Sequence, residues 1–194
     1  MNINPAPKNS VARLEALAQQ AQGYALHMMR TTGSVPPTVI ADTKDGFIFC
    51  MPSGMPDDAA KDRFADVARY LAIAYSAHAI VMVVEAWVRM AVPGIKLDTV
   101  TPPSQSPDRQ EMVVLMLEDQ VRSATGLLPI QREGSGEFQE FCQGPALNFT
   151  STSGRFAGLM PKHVPGAGEV AMAKAELLKL GMCVVNQGFD PAAN

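Results

Sequence analysis

Two stretches of this chain are apolar on both faces of an extended strand, and this narrows its possible folds more than any other feature. From His78 to Met90 the even positions, Ile80, Met82, Val84, Ala86, Val88 and Met90, are all apolar. On the odd side Val81 and Val83 are apolar too, but Glu85, Trp87 and Arg89 follow. Glu111 to Asp119 behaves alike, with Met112, Val114 and Met116 on one face and Val113, Leu115 and Leu117 on the other. Successive side chains of a strand point to opposite faces, so a two-sided apolar strand needs cover on both. These two segments are therefore expected in the middle of a sheet that helices cover from both sides.

The rest of the chain supplies the cover. Val11, Leu14, Leu17, Ala18, Ala21, Ala25 and Met28 recur at helical spacing, predicting an amphipathic helix from about Ser10 to Arg30, ended by Gly33. Thr38-Val39-Ile40 and Phe47-Ile48-Phe49-Cys50 are β-prone runs joined through Asp45-Gly46, a pair suited to a tight turn, so a hairpin is expected. A second helix is predicted from about Pro56, with Phe64, Val67, Ala68, Leu71 and Tyr75 on its buried side. Leu127 to Arg132 contains Pro129, which cannot donate to a ladder, and is expected at a sheet edge. Val170 to Leu180 reads as a last helix, followed by a short Cys183-Val184-Val185 run, while 92–108 and 144–166 are long irregular loops. The order predicts a single domain over 1–194 of class α+β. Its mainly antiparallel sheet, an N-terminal hairpin plus a meander, packs with about three helices.

Composition narrows the functional classes. At 47% hydrophobic and 18% charged residues the chain is not disordered, and its net charge of −3 argues against binding nucleic acid through overall charge. The acidic excess lies in the second half, densest at Glu133, Glu137 and Glu140. Leu71 to Val84 is the most membrane-like run, but it is fourteen residues long and meets Glu85, too short to span a bilayer. The first residues lack the basic and apolar regions of a secretory signal. Cys50, Cys142 and Cys183 are odd in number and form no metal-ligand spacing with His27, His78 or His163. Reduced thiols in a cytoplasm, with no metal, no cofactor and no membrane contact, are the expectation.

One constellation offers chemistry. Glu85, Trp87 and Arg89 share one face of the first central strand, and Asp108, Arg109 and Glu111 lead into the second. Antiparallel pairing would gather all six at one end of the sheet. Trp87 would then stack a ligand and Arg109 bind an anion. The alternative is a salt-bridged rim, in which Trp87 packs under the proline-rich loop. A metal-nuclease reading of Pro107-Asp108 with Glu118-Asp119 fails, because Gln120 stands where a lysine is needed and the acids lie at opposite ends of one strand. Gly166-Ala167-Gly168 before the last helix is at most a weak anion cradle.

Glu85-Ala86-Trp87, then Pro103-Ser104, then Pro107-Asp108-Arg109-Gln110-Glu111 form a pattern that resembles small bacterial and phage-associated proteins of unassigned function. In that group a hairpin, a helix, an EAW strand and a PDRxE strand follow in this order. The resemblance covers about Gly33 to Arg132, implies the same α+β order and carries no activity with it.

Twelve methionines, several on the central strands, suit either core filling or an adaptable contact surface. Two functions are therefore expected. One is a non-catalytic interaction or accessory protein of bacterial or phage origin that binds itself as a homodimer, or another protein. The other is a small hydrolase or ligand-binding enzyme using Glu85, Arg89, Asp108, Arg109 and Glu111 around Trp87. No His or Lys lies beside those acids in the sequence, which favours the first.

Overall fold

A computed structural model describes residues 10–90, 94, 101–142, 147–150 and 154–180. Its centre is a six-stranded antiparallel sheet. The strands are β1 (Thr38–Thr43), β2 (Gly46–Cys50), β3 (Ala79–Val88), β4 (Gln110–Asp119), β5 (Ser123–Arg132) and β6 (Phe138–Phe141), in spatial order β2-β1-β3-β4-β5-β6. The helices are α1 (Ser10–Thr32), α2 (Asp58–Ala74) and α3 (Ala167–Lys179). The fold is α+β, and the two-sided apolar segments are its central strands β3 and β4.

Both faces carry a core. On one, α1 lays Leu14, Leu17, Ala21, Tyr24 and Met29 over Ile40, Val81, Val83, Val113, Leu115 and Leu117. On the other, Phe64, Val67 and Leu71 of α2 and Ala173 and Leu177 of α3 cluster with Val39, Ala41, Ile80 and Met82. The alternation of β1 and β3 thus sends odd and even positions to different helices, as the period of a strand requires. Among the described residues no helix is long and apolar enough to cross a membrane.

The helix ends follow local chemistry. Gly33, at φ +76°, closes α1 with its N–H donated to the Met29 carbonyl, a left-handed cap that glycine adopts without strain. Asp57 caps α2, its carboxylate accepting the Ala60 N–H at 2.7 Å, so the helix starts two residues later than Pro56. The same type of cap after α2 falls on Ser76, at φ +48°, and the Ala77 N–H reaches back to the Ala72 carbonyl at 2.9 Å. An L-residue in that region costs roughly 1–2 kcal/mol. Ser76→Gly should therefore stabilise the fold by about 1 kcal/mol and raise Tm by about 2–4 °C, measurable by calorimetry. An unchanged or lower Tm would show that the Ser76 side chain makes up the difference.

One expectation fails. β5 is not an edge strand: it lies between β4 and β6. Pro129 is tolerated because a residue's C=O and N–H point to the same neighbour in an antiparallel ladder. Its carbonyl accepts the Cys142 N–H at 2.9 Å, just past the end of β6, so its missing N–H falls where the β5–β6 ladder has already ended. Of loop 92–108, the described part holds a short 3₁₀ turn at Pro103–Gln105. Most of its remainder, and the Cys183-Val184-Val185 run, lie outside the described residues.

Two acids at the far end of β4 tie distant segments to the sheet. Glu118 is buried, and its carboxylate accepts the N–H groups of Gly158 at 2.7 Å, Leu159 at 2.9 Å and Met160 at 3.3 Å. Gly158, at φ +65°, gives the chain the turn that aims consecutive N–H groups at one carboxylate. The neighbouring Asp119 accepts the N–H groups of Val121 and Arg122 at 2.7 and 2.6 Å and the hydroxyl of Ser10. It therefore closes the β4–β5 turn and anchors the start of α1 together.

Candidate functional site

Antiparallel pairing of β3 and β4 sets Trp87 opposite Glu111 and Glu85 opposite Val113, so the sequence-predicted residues do converge on one end of the sheet. They divide into two groups with different chemistry.

The inner group is an ionic knot. Arg132 of β5 donates to both carboxylate oxygens of Glu111, at 2.7 and 2.8 Å, and lies 3.8 Å from Glu85. Its remaining Nη1 reaches the carbonyls of Gly33 and Gly136 at 3.4 and 3.3 Å. Glu85 accepts the Val35 N–H at 2.8 Å. The knot thus pins the segment leaving α1 onto the strands. Arg132's hydrogen bonds hold the Glu111 carboxyl below the usual range. Burial, aided by the charge of Glu111, pushes the Glu85 carboxyl up. The two neighbouring acids are thus shifted in opposite directions, Glu85 toward its protonated form and Glu111 toward its ionised one.

The outer group faces solvent. Trp87 is 42% exposed, and the Arg109 guanidinium lies 4.8 Å from its ring centroid, a cation–π pair. Residues 109 and 111 share a face by strand alternation, which brings Arg109 from the start of β4 over Trp87. Trp87 is therefore not buried under the proline-rich loop: that expectation is corrected. Arg89 instead holds the described end of the loop, donating to the Thr101 carbonyl at 3.0 Å. Asp108 stands apart from the knot, exposed, and among the described residues meets only the Ser106 hydroxyl, at 3.5 Å.

Fluorescence checks this placement directly. Trp87 emission should be red-shifted and readily quenched by acrylamide. Trp87→Ala should cost about 1–2 kcal/mol rather than the 3–5 kcal/mol of a buried tryptophan. Blue-shifted, protected emission would contradict the exposed indole.

Arg132 was missed by sequence reasoning because its partners lie 21 and 47 residues away in the chain. The one available signal was a lone arginine ending a strand that otherwise reads as core. The other sequence-level candidates hold no site. The Glu169 carboxylate accepts the Gly166 N–H at 2.9 Å, so the start of α3 is already occupied by an acid from within the chain. Cys50 is buried, and burial pushes its thiol up to about 11, far from a reactive thiolate. Asp108 and Glu118 lie at opposite ends of β4.

No protein-family model, no curated protein and no solved structure matches this chain.

Proposed function

We propose that this chain is a non-catalytic interaction protein that pairs with a second copy of itself through the open part of its sheet. The observation that carries this reading is a row-by-row apolar patch on the face bearing α2 and α3. Register sets Val84, Val114 and Leu127 side by side, with Ala86, Met112 and Pro129 in the next row. Met112 is buried, but Val84, Ala86, Val114, Leu127 and Pro129 are only half-buried. On the same face Val39, Ala41, Ile80 and Met82 are fully buried beside the helices. The patch holds no charged side chain, so a two-fold contact would bring no like charges together.

The enzyme reading has less support. Glu111 is held by Arg132 and Glu85 by the Val35 N–H, so neither carboxylate is poised toward an open site. The exposed Trp87–Arg109 pair lies on the other face of the sheet and takes no part in this contact. The EAW and PDRxE motifs favour a bacterial or phage setting, and the buried Cys50 thiol suits a reducing cytoplasm.

Sedimentation velocity at micromolar concentration tests the reading. The wild type should sediment at about twice 20.8 kDa. Leu127→Glu should sediment as a monomer with an unchanged far-UV spectrum, and the milder Leu127→Thr should weaken the dimer. A wild-type monomer at the same concentrations, or a dimer indifferent to both substitutions, would overturn it.

A further inference from the structure

The opposite end of the sheet holds a cavity of about 330 Å³ at the junction of α1, the α2–β3 turn, the β4–β5 turn and the loop before α3. Its polar lining is Arg13, Ser76, His78, Asp119 and Gln120, and its apolar lip includes Val121 and Val164. Arg13 touches Asp42 only through Nε, at 3.8 Å, and neither of its Nη atoms has a hydrogen-bond partner among the described residues. The side chains of Ser76, His78 and Gln120 likewise make no hydrogen bond among the described residues. Four groups able to donate therefore line one space, three of them, Ser76, His78 and Gln120, also open to solvent. The lip is as unusual: Val164 is 81% and Val121 55% exposed, at the mouth of a cavity rather than scattered singly. The left-handed Ser76 adds local backbone strain at the same lip.

We propose that this cavity binds a small organic monocarboxylate, its carboxylate on Arg13, Ser76 and His78 and its apolar body against Val121 and Val164. Convergent donors select an oxygen acceptor, and a guanidinium whose two Nη atoms are open suits a carboxylate. The nearby acids limit the charge that fits. Asp119, which also lines the cavity, is engaged by Ser10, Val121 and Arg122, and Asp42 partly offsets Arg13, so a dianion would be repelled about twice as strongly as a monoanion. The volume lies at the small end of the range for ligand sites, which suits a short acid. Loop 154–166, which Glu118 holds, supplies Val164 and the prolines beside it, so the buried acid shapes the site without touching it. The site does not depend on self-association.

Amide NMR of the full chain, titrated with isovalerate, isovaleramide and inorganic phosphate, tests the assignment. Isovalerate should shift the His78, Gln120 and Val121 signals with a Kd near or below about 1 mM, an affinity within reach of a ligand this small. Isovaleramide, of the same shape without the charge, should bind at least about tenfold more weakly, and so should isovalerate to Arg13→Gln. Val164→Asp, on an exposed side chain that leaves the fold intact, should weaken isovalerate similarly. Equal shifts from acid and amide would mean an apolar crevice only, and phosphate matching isovalerate would mean a general attraction for anions. Either outcome, or no saturable shift at these residues, would overturn the proposal.

Discussion

Glu118→Gln should lower Tm by about 10 °C, the largest effect expected of any single substitution here. The carboxylate is buried and receives three consecutive N–H groups from residues 158–160. The amide offers one acceptor oxygen in place of two and turns an NH₂ group toward donors. Breaking a buried, fully hydrogen-bonded charged group costs about 3–5 kcal/mol, and 1 kcal/mol moves Tm by about 2–4 °C in a chain of this size. The damage should also be local. The loop carries Leu159 and Met160 into the core beside α2, so its release exposes them. Limited proteolysis should cut the variant first within 154–166, where the wild type is protected. A variant melting within about 2 °C of the wild type, with this loop still protected, would show that the apolar contacts of Leu159 and Met160 hold it without the acid.

Arg132→Met should cost about 1–2 kcal/mol at neutral pH, and the loss should shrink in acid. The estimate is kept low because about a quarter of the Arg132 side chain still meets solvent. The sign follows from the two acids beside it. Glu111 is held below its ordinary value by Arg132, so its contribution is present above the unfolded pKa and fades as pH falls through the folded one. Glu85 is pushed up by burial, so its contribution is present below the unfolded pKa and is lost as pH rises through the folded one. Without Arg132, two carboxyl groups face each other with no guanidinium between them. The variant's deficit should then be largest near pH 7 and smallest as pH falls through the ordinary glutamate value of about 4.3. Urea unfolding of both proteins across this range gives the difference. A deficit independent of pH would mean that Arg132 acts through its contacts to the Gly33 and Gly136 carbonyls rather than through the acids.

Much of the architecture was legible along the chain because periodicity is a local property. The alternation at 80–90 and 112–117 identified the central strands, and helical spacing from Val11 to Met28 identified the layer over one face. Asp45-Gly46 carried the first hairpin, since the turn needs a residue free to take positive φ, and Gly46 lies at +108°. Pro129 misled for an equally local reason. A proline excludes a ladder bond on one side of one residue, and whether that side has a neighbour at that point depends on where β6 stops.

The candidate site was half legible. Glu85, Trp87, Arg109 and Glu111 met as strand alternation and antiparallel pairing require, so which residues share an end of the sheet follows from local pattern. How they share it does not. Whether Glu111 is free or clamped depends on Arg132, one strand further on, and whether Glu85 ionises depends on burial that no single segment controls. Trp87 is exposed because its row lies at the rim, beyond the reach of α1's core contacts. The cavity at the far end is wholly a product of assembly: Arg13, Ser76 with His78, Gln120 and Val164 come from four separate places in the chain, none carrying a motif. Periods of two and of 3.6 residues are written into neighbouring positions, so strands, helices and their apolar faces could be read in order. Ion pairs, protonation and cavities arise between segments far apart in sequence, and they took shape only once the layers had packed.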